Sequence, residues 1–240
     1  MKLTFLFSCF LAIICSSCHY IGGKRIHGNG NNVAQTRDAG KFNSVDVSGA
    51  IDVYLKQDST QSVKVETDEN LQQYVEVYEN NGVLVVSPKD NYNLDPTHKI
   101  KVFVTAPAFR VIGVSGASTI TSENKLVSAE SMDIDLSGAS EAKVDIKAPR
   151  INAEVTGAST ITLSGETKDL NVVGSGASGA KCFDLMTENT TVDISGASSA
   201  EVFASVKLDA QASGASGISY KGNPAITQDI NGASSIKKID

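Results

Sequence analysis

The chain has 240 residues, enough for one large domain or two small ones. It is 41% hydrophobic but only 6% aromatic and has no Trp, so its core must be built from small and β-branched side chains. A formal net charge of −6 leaves no basic field for phosphate backbones and argues against a nucleic-acid partner, while three His and four Cys predict no metal and no cofactor.

Residues 1–17 have the pattern of an export signal. A basic start is followed by an apolar run of about a dozen residues, too short to cross a bilayer core as a helix. Small residues then precede Cys18, as in a bacterial lipoprotein signal, in which that cysteine becomes the lipidated first residue of the mature chain. The departure is Cys15, which stands where an apolar residue is expected, and an ordinary secretory signal cut near Ser17 is the alternative.

We therefore predict lipidation of Cys18 and contact with a membrane through that anchor. The expected location is the bacterial cell envelope, as an outer membrane lipoprotein, with the surface and periplasmic faces both open. Residues 18–40 are rich in Gly and Asn and show no helix or strand periodicity, which predicts a flexible tether. The folded domain is then expected over residues 41–240.

A repeat organises the rest of the chain. A Gly-Ala-Ser triplet recurs every 18 to 22 residues, mainly within 110–240, and a degenerate Gly-Ala-Ile copy precedes the array. The repeat glycines are Gly49, Gly116, Gly138, Gly157, Gly176, Gly196, Gly214 and Gly232. Apolar residues occupy every second position on both sides of each glycine, which is the pattern of a strand with one buried face.

Because the alternation keeps its phase across the glycine, each repeat reads as two strand segments that meet at a bend. The phase places the glycine on the inside of the bend and the Ser two residues later in the core. One such unit cannot bury its apolar face alone, so successive units must stack. The sequence thus predicts an all-β fold, a right-handed parallel β-helix of 18–22-residue coils with a less regular N-terminal part. For residues 55–110 we favour irregular coils, with a separate cap as the alternative.

Acidic residues recur three positions before the glycines and should stack into an outward column. Asp135, Glu154, Asp193 and Asp229 are the candidate binding residues of this column. The alternative is a solvated face that keeps the solenoid soluble, because lysines of the adjoining segment such as Lys143 can neutralise it.

Five stretches of the chain carry a family resemblance: Phe42–Gly49, Val65–Leu71, Asn81–Leu84, Ile100–Pro107 and the Gly-Ala-Ser array. They resemble the head GIN domain family, whose members are labelled putative auto-transporter adhesins and are common in Bacteroidetes. The similarity covers about residues 40–240. It implies adhesion by analogy and transfers no ligand and no catalytic residue.

We expect a lipid-anchored cell-envelope protein whose adhesin-like domain binds a glycan or protein partner without catalysis. A periplasm-facing structural lipoprotein without external ligand is the second hypothesis, and a carbohydrate-active β-helix enzyme is the third. The predicted domain has a single histidine, His98, and no nucleophile motif, so a Ser-His-Asp triad cannot be assembled.

Overall fold

The computed structural model describes residues 23–240, so the predicted signal and Cys18 lie outside the described residues. Within this range the chain forms 21 β-strands and a 3-10 helix at Glu69–Tyr74. No helix in the described part is long and apolar enough to span a bilayer.

The strands divide into an N-terminal group and a repeat group. The first group is β1 (Lys24–His27), β2 (Asn32–Arg37), β3 (Ser44–Val47), β4 (Ile51–Gln57), β5 (Ser62–Asp68), β6 (Val75–Asn80), β7 (Val83–Pro88), β8 (Tyr92–Asp95) and β9 (Ile100–Ala106). The second is β10 (Val111–Val114), β11 (Thr119–Ser122), β12 (Leu126–Val127), β13 (Met132–Leu136), β14 (Glu141–Val155), β15 (Thr160–Gly174), β16 (Gly179–Ile194), β17 (Ser199–Phe203), β18 (Lys207–Ala212), β19 (Gly217–Lys221), β20 (Ala225–Ile230) and β21 (Ser235–Lys238).

The repeat group stacks as a parallel β-solenoid of about 6 turns, with coils of about 20 residues. Strand segments that precede a Gly-Ala-Ser bend pair with one another and form what we call the pre-bend sheet, as in the register Ile134, Ala153, Val172. Segments that follow a bend form the post-bend sheet in the same way. The predicted all-β parallel solenoid is confirmed.

The inward positions are those given by the period-two pattern. Aliphatic residues such as Ile134, Ile161 and Val172 are fully buried, each contributing about 1.5–3 kcal/mol. The Ser two residues after the glycine is also buried in the first six full triplets, as predicted: Ser118, Ser140, Ser159, Ser178, Ser198 and Ser216. In the last triplet Ser234 is half-buried, because no further coil covers it. Cys182 lies in the same core, and burial raises the pKa of its thiol to about 12, so the group is protonated at neutral pH.

The buried serines are not equivalent, and two substitutions should separate them. Ser198 Oγ donates to Ser195 O at 2.8 Å and accepts from Ser178 Oγ at 3.1 Å, whereas Ser118 Oγ is buried with no hydrogen-bond partner. We expect Ser198→Ala to lower the free energy of unfolding by about 1 kcal/mol and Ser118→Ala to leave it unchanged or higher. Urea denaturation at equal m-value measures both, and equal losses would contradict the assignment.

The glycines of the seven full triplets lie on the outside of the bends, which corrects the prediction that they face inward. Gly157 has φ of +75°, and an added Cβ would come within 2.5 Å of Gly138 O in the preceding coil. The bends stack this closely because Ala158 N–H donates to the same carbonyl at 2.8 Å. Glycine is therefore required by a left-handed backbone and by the neighbouring coil, not by crowding at the solenoid axis.

Residues 55–110 form both a rung of the solenoid and a closing structure. Strand β7 pairs in parallel with β3, and β9 pairs in parallel with β4. Strands β7 and β9 therefore form a rung beyond β3 and β4, on the side away from β10 and β11, although they come between these strands in the chain. Strands β6 and β5 then pair antiparallel with β7 and β9, and β2 pairs antiparallel with β5. We call β1, β2, β5, β6, β8 and the 3-10 helix the cap. It covers the strand edges at which the parallel stack would otherwise continue.

The start of the described chain is part of this cap, which corrects the predicted flexible tether. Strand β1 pairs in parallel with β8, and β2 is held by β5. Asp95 accepts a hydrogen bond from Arg25 at 2.9 Å, and Asp68 accepts one from Gly30 N–H at 2.7 Å. Both strands are short and mostly exposed, so they carry no period-two apolar pattern that the sequence could reveal.

Candidate functional site

The four predicted binding residues lie exposed on the outer face of the pre-bend sheet. The register places Asp135 directly beside Glu154. Val173 then separates Glu154 from Asp193, and Gln211 separates Asp193 from Asp229. Only Asp135 and Glu154 are therefore adjacent members of the column.

A groove of about 460 Å³ lies at the cap-proximal end of this column. Its floor is Gly113 of β10, which lies in register between Asp46 of β3 and Asp135 of β13 and has no side chain. A Cβ at this glycine would be 3.0 Å from Asp46 Oδ1, so the missing side chain leaves room for that carboxylate. We call this feature the Gly113 groove.

The polar lining of the Gly113 groove consists of three carboxylates and three hydroxyls. These are Asp46, Asp135 and Glu154, and Ser115, Ser137 and Thr156. Two of the hydroxyls are turned to the neighbouring coil, since Thr156 Oγ1 donates to Leu136 O at 3.1 Å and Ser115 Oγ donates to Val47 O at 3.3 Å. Valines beside the polar groups give the groove an apolar wall as well.

The carboxylates of the groove have no basic partner. Among residues 23–240, no Lys, Arg or His forms an ion pair with Asp46, Asp135 or Glu154. Lys143, which the sequence offered as a neutralising neighbour, lies on the post-bend sheet in register with Thr121 and Thr162. The groove is thus a site of uncompensated negative charge.

This charge perturbs the titration of Asp135. Partial desolvation by the groove raises the pKa of its carboxyl above the ordinary value, and the neighbouring Glu154 and Asp133 carboxylates raise it further. A raised pKa means that the folded state disfavours the ionised form, so the carboxylate subtracts from stability above that pKa and the penalty is absent below the unfolded value. The ionised Asp135 carboxylate therefore does not stabilise the fold at neutral pH.

We expect Glu154→Gln to lower the pKa of Asp135 toward its ordinary value, since it removes the neighbouring charge that raises this pKa most. A carbon-13 NMR titration of the aspartate side-chain carboxyls measures the change. Glu141→Gln, on the post-bend sheet, is the matched control and should leave Asp135 unchanged. An Asp135 pKa that does not respond to Glu154→Gln would contradict the adjacency of the two strands.

The acidic column was predictable from the sequence, whereas the Gly113 groove was not. Asp46 lies three residues before Gly49 of the degenerate copy, as the other acids lie three residues before their glycines. The repeat therefore already placed Asp46 in the acidic column. The concave shape depends on β3 lying beside β10, and no local pattern encodes that order. No group of three or more His, Cys, Asp or Glu residues that could hold a metal ion occurs in the described range.

Comparison with known proteins identifies a matching family and several structures with the same fold. The model of the family described as putative auto-transporter adhesin, head GIN domain, matches residues 41–224. A crystal structure of a putative adhesin from Bacteroides fragilis NCTC 9343 has a TM-score of 0.83 at 20% identity, covering 89% of this chain and 100% of that chain. No curated protein matches this chain.

Two further crystal structures share the architecture. A putative lipid binding protein from Parabacteroides distasonis ATCC 8503 has a TM-score of 0.73 at 24% identity and covers 90% of this chain and 100% of its own. A putative adhesin from Parabacteroides merdae ATCC 43184 has a TM-score of 0.72 at 21% identity and covers 91% of this chain and 100% of its own. At these identities the likeness supports the fold alone.

Proposed function

Because this chain belongs to the putative auto-transporter adhesin, head GIN domain family, we propose that it is a non-catalytic, adhesin-like protein of the cell envelope that binds its partner at the Gly113 groove. The observation that carries this proposal is the uncompensated charge of the groove, where Asp46, Asp135 and Glu154 meet without a basic neighbour in the described range. A partner that brings hydrogen-bond donors or positive charge relieves that repulsion on binding.

The chemistry of the groove fits a glycan or a protein segment. Carboxylates accept hydrogen bonds from sugar hydroxyls and amines and from Lys or Arg side chains. Ser137 and the other hydroxyls can donate or accept at the rim, while the valine wall can cover the apolar face of a sugar ring or a side-chain stem. Further acids of the column, Asp193 and Asp229, extend the surface along the stack and offer weaker repeated contacts to a long partner.

Lipidation of Cys18 is part of the same proposal. The small residues before this cysteine and the apolar run of the signal support it. An anchored protein would act at the outer membrane as one of many copies, where avidity multiplies a modest affinity for a polymer.

Charge reversal tests the groove. The mature chain carrying Asp46→Lys, Asp135→Lys and Glu154→Lys is expected to lose binding to glycan and extracellular-protein arrays by at least about tenfold relative to wild type. The matched control reverses Glu123, Glu141 and Glu201, which lie on or beside the post-bend sheet, and so changes net charge equally. Loss of binding in both variants, or in neither, would overturn the assignment to the groove.

Adhesion also requires the domain to lie outside the outer membrane. Antibody labelling of intact cells, compared with cells whose outer membrane has been permeabilised, measures this directly. Labelling of intact cells supports an adhesin-like role, whereas labelling only after permeabilisation overturns it and leaves the periplasm-facing structural role.

A further inference from the structure

We propose that the cap is the membrane-facing end of this protein, so that the solenoid projects away from the bilayer and its Gly113 groove opens sideways. This inference rests on the proposed lipidation of Cys18 and adds the orientation that the lipid imposes. The partner of the cap is therefore a lipid surface, and the partner of the groove is a different molecule.

The chain between the proposed lipid and the fold is short. Strand β1 begins at Lys24, so residues 19–23 alone separate it from Cys18. Six residue steps can span at most about 20 Å even when fully extended. A free tether over 18–40 would have reached about 80 Å. The pairing of β1 with β8 thus shortens the reach about fourfold.

Strand β1 is held along its whole length by the cap. Its backbone is anchored at both ends, by Lys24 N–H to Asn91 O at 2.8 Å and by Gly28 N–H to Asp95 O at 2.9 Å. The Asp95 carboxylate lies 2.8 Å from His27 Nδ1 and 2.9 Å from Arg25 Nη2. Hydrogen bonds from His27 and Arg25 also hold the pKa of Asp95 below its ordinary value, so the carboxylate stays ionised at neutral pH.

Strand β1 lies at the cap end of the stack, because it pairs with β8, and β8 lies in the chain between β7 and β9, the two strands of the cap-proximal rung. From β9 of the cap-proximal rung to β21, nine strands of the post-bend sheet lie side by side, a length of about 38 Å at ~4.8 Å per step. The lipid is therefore attached at one end of a rod that is longer than the connecting segment can reach. The uncompensated acids of the pre-bend face also disfavour lying flat on anionic headgroups.

Energy transfer to the membrane tests the orientation. The full mature lipoprotein is reconstituted into phosphatidylcholine–phosphatidylglycerol vesicles that contain an acceptor-labelled phosphatidylethanolamine. A donor is attached at Asp90→Cys in the cap or at Lys237→Cys on β21, both exposed positions. Cys182 does not compete for the label because its thiol is fully buried.

We expect transfer from the Asp90→Cys donor to exceed transfer from the Lys237→Cys donor at least about threefold, given their separation along the stack. Equal transfer would mean that the rod lies along the bilayer and would overturn the inference. Greater transfer from Lys237→Cys would overturn it as well.

A second variant tests the role of the β1–β8 pairing. Ile26→Pro combined with Asp95→Ala breaks the backbone ladder between β1 and β8 and removes the side-chain contacts to Arg25 and His27. This double variant is expected to reduce transfer from the Asp90→Cys donor, because release of β1 lengthens the connecting segment to about 40 Å. Asp58→Ala, at an exposed aspartate remote from β1, should leave transfer unchanged. Unchanged transfer in the double variant would overturn the role of the pairing.

Vesicle flotation distinguishes a failure of the proposed lipidation from a failure of the proposed orientation. Cys18→Ser provides the reference for protein that does not float with vesicles. A mature wild-type chain that behaves like Cys18→Ser would overturn lipidation, and the orientation with it. A wild-type chain that floats but transfers equally from both donors overturns the orientation alone.

Discussion

Gly157→Val is expected to lower the free energy of unfolding by about 3 kcal/mol or more, with a matching loss in melting temperature. The substitution combines two costs at one bend. A β-branched side chain does not tolerate the φ of +75°, and its Cβ would stand 2.5 Å from Gly138 O. That carbonyl accepts the Ala158 N–H, so moving it away breaks the contact between two coils. Thermal and urea denaturation measure the loss.

Three controls separate the contributions to this loss. Gly30 has φ of +80°, and a Cβ added there would have no atom within 4 Å, so Gly30→Ala isolates the backbone cost of about 1–2 kcal/mol. Ala158→Val places the same branched side chain at the exposed neighbour, and Asp135→Asn alters an exposed acid. A Gly157→Val variant as stable as any of these would show that the bends do not stack through their backbones.

The repeat region was predictable because each of its coils carries the same local pattern. Once the triplets are aligned, the residue four before each glycine must lie beside its equivalents, and Ile134, Ala153 and Val172 do so. The same alignment correctly brought Asp135 beside Glu154. Alignment of the triplets sets the register, and a bulge between Thr162 and Ser164 absorbs the extra residue of one coil, so no long-range information was needed.

The position of the bend glycines was not predictable from alternation. A residue with positive φ interrupts the extended backbone, so the alternation that holds on both sides of the bend does not determine which way the glycine at the bend itself faces. Gly157 faces solvent although Val155 and Ser159, two residues to either side, are both buried. The alternation correctly predicted which strand residues are buried, but it wrongly predicted that the glycine joining the two strands faces inward.

The arrangement of residues 55–110 was not predictable because the order of its strands in space differs from their order in the chain. Strands β7 and β9 follow β3 and β4 in sequence but stack on the side away from β10 and β11. Nothing in the local composition of residues 83–106 distinguishes this from an ordinary next coil. The Gly113 groove was not predictable for the same reason. It forms where β3 lies beside β10, and these two strands are separated in the sequence by most of the cap.

Asp68→Ala is expected to lower the free energy of unfolding by about 3 kcal/mol, the second-largest effect among these substitutions. The Asp68 side chain is fully buried at the end of β5 and accepts hydrogen bonds from Thr97 N–H at 2.8 Å, Thr97 Oγ1 at 2.6 Å and Gly30 N–H at 2.7 Å. It thereby joins the segment after β1 to the segment after β8. Removing it deletes three hydrogen bonds to one charged acceptor at once, and hydrogen bonds to charged groups are the stronger ones.

The loss should depend on pH with a defined sign. Burial alone raises the pKa of Asp68, but the hydrogen bonds from Thr97 and Gly30 outweigh it and hold the pKa below the ordinary value. A carboxyl with a depressed folded pKa stabilises the fold above the unfolded pKa of about 3.9 and loses that contribution as pH falls through the folded value. Wild type should therefore lose more stability than Asp68→Asn below about pH 4.

Hydrogen exchange locates the effect within the molecule. If Asp68 holds the cap together, amides of β1 and of the loop at Gly30 should exchange faster in Asp68→Ala, while amides of β14 to β16 stay protected because their partners are other coils. Faster exchange throughout the solenoid would instead mean that cap and coils unfold as one unit. In that case the carboxylate would contribute to the stability of the whole stack, and the pairing of β1 with β8 would open only when the fold is lost.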